Sequence, residues 1–221
     1  MSSNRSNPLD LLSPEAVEAL FTRSDGSFLC ARWGRPLAPV VFGVADQTLE
    51  TIKGALEAVA GLANLPINET DPELGANLMF FFLRDWHELA ETPGLDQLIP
   101  DLSGLLERLA DADANQYRIF RFDKEGAIRA CFAFVRIDDA LAAIPAETLA
   151  LTQAVQSILL WSDTAFGGPE GAPLMRGPEG YTVLRPDIAA IIRAAYDPVM
   201  PPAAQDRSHA LRLAARIIPV H

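Results

Sequence analysis

Apolar residues recur at three- and four-residue steps along "QTLETIKGALEAVAGLA", where Leu49, Ile52, Leu56, Val59 and Leu62 share one face. That spacing is the signature of an amphipathic helix. Asp46 is placed to cap it, and Gly61 and Asn64 to end it. An earlier, shorter helix begins at Ser13-Pro14-Glu15, which supplies an N-cap, a proline at the first helical position and an acid in the first turn. It should run to about Phe21. Ser24-Asp25-Gly26-Ser27 is a turn. "FLCARW" and "PLAPVVFGV" then read as strands separated by Gly34-Arg35-Pro36.

"NLMFFFL" is a short apolar run rich in phenylalanine and reads as a buried strand. "RDWHELAE" follows as a helical turn, and a helical stretch from Leu95 to about Ala112 is interrupted at Pro100. "QYRIFRF" and "AIRACFAFVRI" flank Asp123-Lys124-Glu125-Gly126 and form the best hairpin in the chain. The second of these strands is apolar on both faces, which predicts a central position. A long helical region from about Asp138 to Trp161 is divided by Pro145. The next stretch reads as a loop in which Gly168-Pro169-Glu170-Gly171 returns as Gly177-Pro178-Glu179-Gly180. "RPDIAAIIRAAY" and "QDRSHALRLAARII" are the last helices. The predicted order is α-β-β-α-β-α-β-β-α-α-α: an α+β chain with a mixed, mainly antiparallel sheet packed with helices, rather than a doubly wound parallel one. Residues 1–27 are expected as a helical extension to a single domain over residues 28–217.

Composition narrows the function. Of 221 residues, 49% are hydrophobic and 21% charged, enough for a sizeable core. Eighteen basic residues against 29 acidic ones give a formal charge of −11, which repels phosphate backbones, so nucleic acid is not an expected partner. No apolar run is long enough to span a membrane. The polar "MSSNRSNPLD" start, read literally, keeps the protein in the cytoplasm, although a chain whose signal had been removed would look the same. Cys30 and Cys131, 101 residues apart, are expected as buried thiols rather than a disulfide.

"HELAE", residues 87 to 91, begins like a zinc-peptidase helix and then has a carboxylate where the second imidazole belongs. In a helix, His87 and Glu91 lie one turn apart and Glu88 is the candidate base, with His209 and His221 the remaining histidines. The plainer reading is a solvated helix turn. No G-x-S-x-G occurs, and the glycines of "FGGPEGAP" are interleaved with prolines that lack N–H groups. The acid pairs Asp71/Glu73, Asp111/Asp113 and Asp138/Asp139 read as solvated loop or helix-end acids, and Asp111, Asp113 and Asn115 lack the glycine of a calcium loop.

"DKEGAIRACFAFVRIDD", "ALTQAV" and "LRPDIAAIIRAAYDPVMPP" resemble the proteobacterial family of unknown function DUF2927. Leu151-Thr152-Gln153-Ala154 matches one family helix, and Ala195-Tyr196-Asp197-Pro198 with Pro201 matches another. "ARWGRPLAPVVFG" and "NLMFFFL" resemble its early strands, so the likeness covers about residues 28 to 216. It implies a zincin-like, metalloprotease-like layout and an exported protein. It also moves the helix of interest to residues 146–160. There Gln153 takes the place of the second metal-binding histidine, Leu149 that of the first, and Ala150 that of the glutamate. Leucine has no lone pair to give and alanine takes no proton.

The expectation is therefore a non-catalytic domain with a binding or structural role and no cofactor or metal, with a protein or peptide as the partner class open to it. The competing class is a metal-dependent hydrolase built around His87, Glu88 and Glu91 with His209. A groove, if the layout keeps one, is expected along Gln153, Gln156, Trp161 and the 162–184 loop, with Tyr196 and Asp197 nearby. The plainer alternative makes Trp161 and Tyr196 core aromatics and Asp197 a helix-end cap.

Overall fold

The structure is a computed structural model and describes residues 12–167, 171–177 and 179–217. In chain order it begins with α1 (Pro14–Ala19), β1 (Cys30–Ala31), β2 (Pro39–Phe42), α2 (Asp46–Leu62) and β3 (Leu78–Leu83). A 3-10 turn (Trp86–Leu89), α3 (Leu95–Leu98), α4 (Leu102–Asp111), β4 (Gln116–Phe122) and β5 (Ile128–Arg136) follow. The chain ends with α5 (Asp139–Ala142), α6 (Ala146–Ile158), β6 (Leu174–Arg176), β7 (Thr182–Leu184), α7 (Pro186–Ala195), β8 (Ala203–Ala204) and α8 (Ser208–Ala214).

Four of these strands form the central sheet in the order β2-β3-β5-β4. The fold is α+β with mixed sheets. Three of the five ladders among the described residues are antiparallel, yet within the central sheet β2–β3 and β3–β5 are parallel and only β4–β5 is antiparallel. The parallel pairs are possible because α2 and the α3–α4 region carry the chain back across the sheet. β5 is central, as its two apolar faces require. Cys131, Ala133 and Val135 enter one core layer with α2, α6 and α7, and Ala130, Phe132 and Phe134 enter a second with the 3-10 turn and α4. Val17 and Phe21 lie in the first layer, so α1 shares the core of residues 28–217.

Local chemistry explains most element ends. Ser13 Oγ accepts from the Ala16 N–H at 3.2 Å. Asp46 opens α2 from inside its first turn, while Ala45 is the residue at the cap, so the expected aspartate cap makes no side-chain bond. At the end of β2, Gly43 has φ +80°, and a Cβ there would lie 1.9 Å from the Phe82 carbonyl oxygen. Only glycine fits that crossing.

Three expectations change. "FLCARW" gives only the two-residue β1, which pairs with β8. Helix α6 stops at Ile158, and Leu159–Trp161 leave it because Leu160 N–H bonds Ala31 O at 2.9 Å and Leu159 bridges Arg32. The presumed loop carries a hairpin, β6–β7, turned through Gly177 and Gly180. The other repeated Gly-Pro-Glu-Gly turn lies mostly outside the described residues, as does His221.

Candidate functional site

Because β4 is the sheet's edge strand and α6 follows β5, a cleft forms between them. Alternation along β4 turns Gln116, Arg118 and Phe120 towards α6. From the other side come Gln156 of α6 and, after the helix ends, Trp161 and Phe166. The space is about 530 Å³. Trp161 is fixed by its Nε1–H donating to Val155 O at 2.8 Å, by stacking on Phe21 at 5.4 Å and by an edge contact with Phe166 at 5.2 Å.

Gln153 lies beneath the cleft with no exposed surface. Its Nε2 donates to Gln116 Oε1 at 2.8 Å, and its Oε1 accepts from Arg118 Nη2. Both ends of the amide are therefore engaged, as a buried amide requires. Arg118 has no carboxylate partner among the described residues, and its Nε–H is buried without an acceptor. Burial draws its pKa down to about 10, so it is still a cation at neutral pH. Gln156 Oε1 is likewise buried without a donor. At the rim, Arg23 faces Asp163, whose carboxylate accepts from Ser24 N–H at 3.0 Å and from Ser24 Oγ.

Gln156 and Trp161 thus line the cleft, and Gln153 organises its floor. Tyr196 and Asp197 do not line it. Tyr196 Oη donates to Ile158 O at 2.7 Å and accepts from Trp33 N–H at 3.2 Å, while Asp197 pairs with Arg216 at 3.3 Å and caps Val199 N–H at 2.9 Å. Leu149 and Ala150 line a separate small hollow beside Gly43 and Phe82. Arg118 was not among the residues singled out from the sequence. The signal for it was the alternation of "QYRIFRF", which places an arginine on the same face as Phe120.

His87 belongs to the opposite side of the sheet. Its segment is a 3-10 turn with Glu91 beyond the end, so the α-helical spacing that would join them is absent. Glu88, the candidate base, accepts from Arg84 N–H at 2.8 Å and Asp85 N–H at 3.0 Å as half of a capping box. His209 is buried on α8 in the other core layer, away from His87. An open groove of about 990 Å³ passes His87 and carries Asp85, Asp96, Asp101 and Asp111. Among the described residues no three histidine, cysteine, aspartate or glutamate side chains converge to hold a metal ion.

One member of the Asp71/Glu73 pair departs from expectation, while Glu73 is exposed. Asp71 is buried rather than solvated. It accepts from Glu73 and Leu74 N–H groups at 2.9 Å, from Asn77 Nδ2 at 2.9 Å and from Arg35 at 3.2 Å. Asn77 continues the network to Pro36 O and Ala38 N–H, both at 2.8 Å. Burial pushes the Asp71 pKa up, but those bonds outweigh it and bring the pKa down to about 2.

Comparison with protein-family models, with curated proteins and with solved structures returns no match to the chain. Among the described residues no helix is long and apolar enough to cross a membrane.

Proposed function

We propose that this chain is a non-catalytic binding domain of zincin-like layout, with its ligand site in the cleft between β4 and α6. Support for the layout comes from an edge strand antiparallel to the central strand β5, followed by a helix lying beside that edge. The helix positions that would carry metal chemistry hold Leu149, Ala150 and Gln153, in keeping with the likeness to DUF2927. One observation carries the reading: the Gln153 amide is fully buried and closed at both ends by Gln116 and Arg118. A buried amide whose oxygen already faces a guanidinium is a poor ligand for a cation, and a carboxamide does not serve as a proton-transfer base. The wall above it is nonetheless polar, aromatic and concave, as ligand sites are.

Two measurements test the proposal. Protein incubated with zinc sulfate and dialysed is expected to retain substoichiometric zinc and to leave casein intact. One zinc held per chain, or casein hydrolysis that a chelator stops, overturns the non-catalytic half. Nitrogen–proton correlation spectra with an equimolar pool of random hexapeptides are expected to show shifts clustered at Gln116, Arg118, Gln156 and Trp161. Shifts confined to other surfaces, or none, overturn the binding half.

A further inference from the structure

The open side of the cleft presents hydrogen-bond donors. Gln153 takes up the acceptor of Gln116 and one nitrogen of Arg118. Gln116 Nε2 has no partner among the described residues and is not sealed from solvent, so it faces the open space. The same holds for Arg118 Nη1 and for Gln156 Nε2. Arg23 adds a second cation at the rim, and the one carboxylate that lines the cleft among the described residues, Asp163, is occupied by Ser24. In a chain of formal charge −11, the described lining of this cleft carries two arginines against one aspartate. Next to the donors lie Phe120, Leu160, Trp161 and Phe166, an apolar wall.

We propose that the cleft binds an organic carboxylate with an apolar body, which rests on the reading of the cleft as the ligand site. The carboxylate takes hydrogen bonds from Arg118 Nη1 and the outward amides of Gln116 and Gln156, and the apolar body lies on Trp161 and Phe166. A monoanion matches the single positive charge that the described lining residues have in excess, and a charge-assisted bond from Arg118 Nη1 is stronger than a neutral one. The partly unpartnered guanidinium then gains the counter-charge that none of the described residues supplies.

N-acetylphenylalanine is the probe, with N-acetylphenylalaninamide and inorganic phosphate as the other arms, read by the Arg118 Nε–H and Trp161 indole N–H resonances. The acid is expected to shift both resonances and to bind at least about tenfold more tightly than the amide. Phosphate is expected to bind more weakly than the acid. Arg118→Met should abolish the preference for acid over amide, and Gln156→Leu, which breaks no protein hydrogen bond, should weaken the acid severalfold. Equal binding of acid and amide overturns the proposal, as does no binding of either. Phosphate matching the acid, or Gln156→Leu and a folded Arg118→Met both leaving acid binding unchanged, overturns it too. If the hexapeptide pool shifts the cleft while acid and amide bind alike, the carboxylate inference falls and the binding reading stands.

Discussion

Tyr196 Oη donates a 2.7 Å hydrogen bond to the carbonyl of Ile158, the last residue of α6. The same oxygen accepts from Trp33 N–H, so one phenol ties α7, the end of α6 and the segment after β1 together. Tyr196→Phe leaves a buried carbonyl and a buried N–H unpaired. Urea unfolding should show a loss of about 1–3 kcal/mol, with binding in the β4–α6 cleft unchanged because Tyr196 does not line it.

Asp71 contributes to an acid transition. Its folded pKa of about 2 lies below the ordinary 3.8, so its stabilisation is complete above the ordinary value and disappears as pH falls towards the folded one. Asp71→Asn is expected to cost roughly 1–3 kcal/mol at neutral pH, the range for losing charge-assisted buried bonds. Denaturation midpoints measured from neutral pH down to about pH 2 should converge for the two proteins at the acid end.

His209 acts at milder acidity. Burial depresses its pKa, and the nearby charges of Arg212 and Arg216 depress it further below the ordinary 6.5. The unfolded chain therefore takes up this proton first, and the stability due to a neutral buried imidazole is lost as pH falls through the folded value. His209→Phe should flatten the fall in urea midpoint between about pH 7 and about pH 5.

Cys30 and Cys131 are free and buried, and burial pushes both thiols up to about 12. Neither is a thiolate at neutral pH, and neither is accessible. An aromatic disulfide reagent should modify two thiols per chain in denaturant. In native buffer the reaction should proceed no faster than unfolding.

Features set by neighbours in sequence were legible. The spacing of Leu49, Ile52, Leu56, Val59 and Leu62 describes α2, Pro145 does separate α5 from α6, and the two apolar faces of β5 imply its central place. Features set by partners far along the chain were not. Leu159–Trp161 continue an apolar helix pattern, yet Ala31 and Arg32 draw them into an extended path. Asp71 looks like any loop acid until Arg35 and Asn77 close around it. The cleft was half legible: Gln153, Gln156 and Trp161 come from one continuous segment, whereas Arg118 enters across the sheet from β4.

The outer margin of β4 meets no other strand among the described residues. A bare sheet margin invites a second copy to zip on and start a ribbon. Here an arginine turned inward at 118, another at 121 and a slip in register between Arg121 and Phe122 interrupt the straight run such growth needs. The Arg118 side chain that brings a cation to the cleft is thus also one of the features that disfavour edge-to-edge growth.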